Sequence, residues 1–199
     1  MDGIFVVFFL FIIYNNGMNK GKLHIYTGDG KGKTTSAIGL AIRAAGAGFK
    51  VAFVQFDKGW EGEEFYSERK ILRKIENIDL FPTGTVRHQK DGSFRFNLTE
   101  DDIKEAKRGL EISYKILKEK KYDLVILDEI IVSIYTKLLK LEDVLSLIKF
   151  WKENCECELV LTGRYAPEEI LKEADLVTEM KKIKHYFDKG VKAKKGIEF

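Results

Sequence analysis

Lys33, Thr34 and Thr35 close the run Thr27-Gly28-Asp29-Gly30-Lys31-Gly32-Lys33-Thr34-Thr35. Those residue types in that order suit the holding of phosphate. Glycines let a backbone curl until its N–H groups face phosphate oxygens. A helix starting at the end of the run adds positive potential. Lys33 can reach the oxygens as a mobile point charge. The Thr34 hydroxyl is placed for Mg²⁺, and that of Thr35 for a further phosphate oxygen. The usual pattern opens on glycine where this chain has Thr27. A plain glycine-rich turn would use the same residues, but it would not need a strand before it and a helix after it. We therefore expect ATP with Mg²⁺, held by Gly28, Asp29, Gly30, Lys31, Gly32, Lys33, Thr34 and Thr35.

A triphosphate site needs carboxylates for its metal. Asp123-Leu124-Val125-Ile126-Leu127-Asp128-Glu129 is an apolar strand that ends in two of them. Strand ends along one edge of a parallel sheet converge, so Asp128 can approach Thr34. Mg²⁺ prefers such oxygen ligands. Thr34, Asp128 and Glu129 are the expected metal set, and Lys33, Thr34, Asp128 and Glu129 the expected catalytic set. The same Asp-Glu pair could simply end a strand and begin a helix.

The elements that would carry these residues can be read from periodicity. Strands are expected at Leu23–Thr27, Val51–Phe56, Ile78–Pro82, Leu124–Leu127, Leu159–Thr162 and Leu176–Met180. Helices are expected at Lys33–Ala47, Glu61–Ile75, from Thr99 as N-cap through Leu117, over Leu141–Trp151 and at Pro167–Glu173. The alternation implies an α/β fold of three layers, with a mostly parallel central sheet between helices. Pro82–Asn97 is the one long loop, and such loops often cover a ligand.

The chain has 199 residues, enough for one domain with a substantial core. We place that domain at 22–199 and treat 1–21 as an N-terminal extension. The apolar run Ile4–Tyr14 is too short to span a bilayer. It could be an added strand or helix, a weak membrane or signal element, or a product of start-site choice. Met18 would serve as an alternative start, and this last reading is favoured. A net charge of +3 is too small to argue for nucleic acid. Cys155 and Cys157, two apart, are not expected to bridge each other, and they fit reduced thiols in a cytoplasmic protein. The C-terminal lysines, interleaved with aromatics, fit either an anionic partner or a solvated face.

Together these segments resemble the P-loop corrinoid adenosyltransferases. The resemblance runs from about Lys22 to Phe199. It rests on Thr27–Thr35, Ala44–Gly48, Val54–Gly59, Leu127–Ile130, Leu161–Pro167, Ala174–Met180 and the tail Lys184–Phe199. The phosphate loop alone fits many families. Thr162-Gly163-Arg164 and the Gly190-Val191-Lys192-Ala193 and Gly196-Ile197-Glu198-Phe199 segments fit this one more specifically, and so does Thr27. The resemblance implies a RecA-like homodimer. It implies attack of a corrinoid Co(I), reduced by a separate electron donor, on the 5′ carbon of ATP, with triphosphate leaving. The product is an adenosylcorrinoid. It adds Arg43 and Arg164 near the nucleotide, and Thr85, Arg87 and Phe187 toward the corrinoid. Where relatives carry aromatics after a Thr-Gly pair, this chain reads Thr83-Gly84-Thr85-Val86-Arg87-His88. Phe94, Phe96, Tyr186 or Phe187 are alternatives for that role. No membrane or nucleic-acid partner is expected. The rival readings are a P-loop ATPase or kinase acting on another substrate, and a RecA-like nucleic-acid module.

Overall fold

The computed structural model describes residues 20–59, 65–87 and 95–199. The apolar run Ile4–Tyr14, Met18, His88, Phe94 and the first residues of the expected helix Glu61–Ile75 lie outside these. Among the described residues six strands form one sheet: β1 Leu23–Thr27, β2 Val51–Gln55, β3 Ile78–Pro82, β4 Leu124–Asp128, β5 Glu158–Thr162 and β6 Leu176–Glu179. Their order is β3-β2-β4-β5-β1-β6, and every pairing is parallel. The mostly parallel sheet expected from the sequence is thus wholly parallel, and all six carboxyl ends lie on one edge.

The alternation of strand residues divides the core into two layers. On one face Leu23, Ile25, Ala52, Val54, Val125, Leu127, Leu159 and Leu161 pack with Ala106, Ile131, Val144 and Trp151. The last four come from helices α3 (Glu100–Glu119), α4 (Ile130–Tyr135) and α5 (Leu141–Asn154), and Ile170 of α6 (Glu168–Glu173) joins them. On the other face Val51, Phe53, Leu124, Ile126 and Val160 meet Ala37, Ala41, Ala44 and Ala45. Those alanines form one stripe of α1 (Lys33–Gly46). Small side chains let α1 lie close over β4 and β5, and this brings its first turn toward the end of β4.

Helix α3 starts as expected at Thr99. Its hydroxyl accepts from the Asp102 N–H, and the Asp102 carboxylate accepts from the Thr99 N–H. This is a capping box with Asp in place of Glu or Gln. Of the expected helix Glu61–Ile75, the described residues form only α2 (Arg69–Leu72), a single turn. α4 was not expected as a separate element. Both cysteines are free. Among the described residues, no helix is long and apolar enough to cross a membrane.

Candidate active site

The loop after β1 turns on Gly28 and Gly32, at φ 101° and 127°. A Cβ on Gly28 would lie 2.4 Å from the Met180 carbonyl oxygen, so only glycine fits there. The Gly30 N–H donates to that same carbonyl at 2.6 Å. The segment just after β6 therefore clamps the loop, and the Lys182 N–H adds a bond to the Asp29 carboxylate at 2.9 Å. The Lys33 ammonium folds back onto the Gly28 and Gly30 carbonyls at 2.8 and 2.7 Å. Burial and the nearby Arg164 hold its pKa below the ordinary lysine value. Its hydrogen-bond partners are carbonyls, while the Glu129, Asp29 and Asp128 carboxylates pull its pKa upward more weakly than burial and Arg164 lower it.

β5 lies between β1 and β4, so Asp128 and the phosphate loop are not on adjacent strands. α1 closes that gap. The Thr34 hydroxyl donates to Asp128 Oδ1 at 2.9 Å, and Thr162, at the end of the intervening strand, donates to the same oxygen at 2.7 Å. The Asp128 side chain is fully buried. Its Oδ2 accepts from the Lys58 ammonium at 2.6 Å. Glu129 follows in the left-handed region at φ 66°, with its N–H donating to Thr162 Oγ1. Burial raises the Glu129 pKa, against the pull of Lys58.

A cleft of about 1040 Å³ opens over this edge. Asp29 through Thr35 and Glu129 line it, as do Arg164 and Phe187. Arg164 donates to the Asp29 carbonyl at 2.6 Å. The structure does not bring the other candidates to it. Arg43 is exposed in the last turn of α1, about 15 Å along the helix from Lys33, because the loop sits at the opposite helix end. Thr85 is spent on Asp102. Arg87 is buried and paired with Asp57 at 2.5 Å, with further bonds to the Arg95 and Phe96 carbonyls. Both hold the loop base rather than face the cleft, although Asp57 itself lines it. Exposed Phe96 does not line it either.

Sequence reasoning missed three contributors. Lys58 was part of the quoted segment Val54–Gly59 but received no role. A lone lysine just past a fully buried strand was the available signal. Tyr66, whose phenol burial pushes up to about 12, lines the cleft opposite the loop. The chain's last residues do so too. The Lys31 ammonium donates to the Ile197 carbonyl at 2.5 Å and lies 3.4 Å from Glu198. Phe199 stacks on Phe65 with centroids 4.2 Å apart. Nothing local in the sequence tied that tail to the loop.

An all-parallel sheet with a phosphate loop at one strand end and a buried carboxylate two strands away defines a P-loop nucleotide-binding protein of the RecA type. The fold is shared with a KaiC-like protein from Pyrococcus horikoshii OT3, at TM-score 0.51 and 19% identity over 80% of this chain and 72% of that one. The family described as ATP:corrinoid adenosyltransferase BtuR/CobO/CobP matches residues 19–199, and the chain belongs to it. Similar proteins include a corrinoid adenosyltransferase of Pseudomonas aeruginosa, 36% identical across 90% of this chain and 84% of that protein. Another, of Escherichia coli K12, is 33% identical across 90% and 86%.

Proposed function

We propose that this chain transfers the 5′-deoxyadenosyl group of ATP to the Co(I) of a reduced corrinoid, and that its phosphate loop holds the triphosphate as the leaving group. Family membership supports the reaction class. The observation that carries the residue roles is the 2.9 Å contact from Thr34 to Asp128, made across an intervening strand.

Cobalt(I) carries no proton to remove and is itself the nucleophile, so the chain needs neither a side-chain nucleophile nor a general base. Its task is to position the reactants and to stabilise charge growing on the triphosphate. The Lys33 ammonium would exchange the Gly28 and Gly30 carbonyls for phosphate oxygens. The loop N–H groups and the start of α1 add positive potential. Arg164 steadies the loop through Asp29, next to the phosphates.

The Thr34 hydroxyl and the Asp128 carboxylate are hard oxygen donors that fit Mg²⁺, and Glu129 is the next carboxylate on that edge. That the same two oxygens already attract an ammonium supports the fit. When bound, Mg²⁺ neutralises charge on the triphosphate. Phe187, 68% exposed at the cleft, is the one corrinoid candidate among the described residues that lines it. This reading includes a separate electron donor for cobalt, a homodimer and a cytoplasmic setting.

The test is spectroscopic. Under strong reduction with ATP and a Co(I) corrinoid, the protein should form a light-sensitive cobalt–carbon product and release intact triphosphate. Orthophosphate without an alkylated corrin would instead mark an ATPase or kinase.

A further inference from the structure

Phe56-Asp57-Lys58-Gly59 turns sharply at the end of β2, with Asp57 at φ 52° and Gly59 at φ 78°. Its backbone is fixed on several sides. The Phe56 N–H donates to the Asp128 carbonyl at 2.9 Å, and the Lys58 N–H to the Thr83 carbonyl at 3.0 Å. The Lys58 carbonyl accepts from buried Arg69 at 2.6 Å. An ion pair between buried Arg87 and half-buried Asp57 braces the preceding residue. Backbone strain of this kind outside glycine is retained where the surroundings over-determine it. What remains free to move is the four-carbon side chain of Lys58.

That side chain reaches across β2 to the β4 end. Its ammonium lies 2.6 Å from Asp128 Oδ2 and 3.2 Å from Thr34 Oγ1, the two groups assigned above to a divalent cation. It also lies over the Tyr66 ring at 5.2 Å and lines the cleft. A buried carboxylate without a compensating charge is costly. Two cations on one pair of oxygens repel each other strongly at these distances.

We propose that Lys58 is a resident cation that occupies the position of the divalent ion between Thr34 and Asp128 until nucleotide arrives, and then turns its charge to the triphosphate. The ammonium compensates the buried Asp128 carboxylate and orients Thr34 in the nucleotide-free protein. Lys58 would give up this position only when phosphates offer it new oxygens, so a divalent ion would be held with ATP rather than ahead of it. Lys58 is thereby a third cation, beside Lys33 and the metal, for the charge of the leaving group. The inference rests on the triphosphate assignment above.

The test uses Mn²⁺ as a paramagnetic probe on the full chain, with and without ATP. Wild type should take up Mn²⁺ only with ATP. Lys58→Met should bind it without nucleotide roughly tenfold or more tightly, as expected for removal of one positive charge in contact with the site. Lys58→Arg, which keeps the charge, should still exclude it. Lys58→Gln, whose amide can still donate to Asp128, serves if the methionine variant does not fold by circular dichroism. Tight Mn²⁺ binding by nucleotide-free wild type overturns the proposal. So does nucleotide-free binding by the neutral variants no tighter than wild type while ATP-dependent uptake persists, and this leaves the triphosphate assignment standing. No Mn²⁺ uptake by wild type even with ATP overturns the metal assignment and the proposal together.

Discussion

Lys33 and Lys58 bring two ammonium groups to one cleft from opposite directions, and the structure treats them differently. Lys33 comes from a glycine-built loop and rests on carbonyls, with its pKa held low by burial and Arg164. Lys58 comes from a turn built without a glycine run and rests on a buried carboxylate. Burial works against its charge, but Asp128 and Glu129 outweigh that and hold its pKa above the usual lysine value. Lys33, on the proposed reading, is arranged for phosphate. Lys58 answers a charge the fold already contains. A sequence motif finds the first kind of lysine, because phosphate binding dictates the loop around it. It passes over the second, because the partner that defines it lies 70 residues away.

The largest expected effect separates the two on stability. Lys58→Met should cost about 3–5 kcal/mol in urea unfolding, because it leaves Asp128 buried and unpaired. Pairing it with Asp128→Asn should recover much of that loss, and a double variant as unstable as Lys58→Met would sink the contrast. Lys33→Ala should leave stability nearly intact but slow adenosyl transfer by roughly 10²–10³-fold, checked by single-turnover absorbance. Wild-type rates would remove its role with the leaving group. Gly28→Ala should cost about 1–3 kcal/mol through a forced left-handed residue against Met180, and ATP affinity should fall with it.

A smaller effect concerns Asp102. Hydrogen bonds from Arg95, Thr85 and Thr99 outweigh burial and hold its pKa well below the usual carboxylate value. Its contribution is present above an unfolded-chain pKa near ~4 and is lost as pH falls below that. Asp102→Asn should therefore remove about 1–3 kcal/mol at neutral pH and flatten the acid side of the stability profile. A profile parallel to wild type would contradict this. The smallest effect is a ranking: Arg43→Ala should weaken ATP binding less than Arg164→Ala, measured by calorimetry, because only Arg164 stands at the loop.

Much of the fold was legible because its strands are buried on both faces. Leu124-Val125-Ile126-Leu127 has no polar position to confuse the period, and Thr99 announces a helix through short-range hydrogen bonds. The failures have equally local causes. Glu61–Ile75 carried a helical pattern, yet buried Arg69 binds Gln55 and the Lys58 and Gly59 carbonyls. Tertiary bonds thus engage the short α2 turn. At the site, Thr34 was legible from the glycine-rich loop and Asp128 from the end of an apolar strand, whereas Arg164 was expected only through the family resemblance. Thr85 and Arg87 were expected at the corrinoid but are consumed by Asp102 and Asp57, partners that no spacing rule would supply.

The clamp of the segment after β6 on the phosphate loop also bears on how the protein is made. Met180 and Lys182 hold Gly30 and Asp29 from as far as 153 residues downstream. A chain emerging from the ribosome presents its glycine run early, well before the segment that shapes it. Until β6 docks beside β1, the loop lacks this clamp. The nascent chain would then carry the complete motif before the loop has the shape on which the proposed triphosphate role depends.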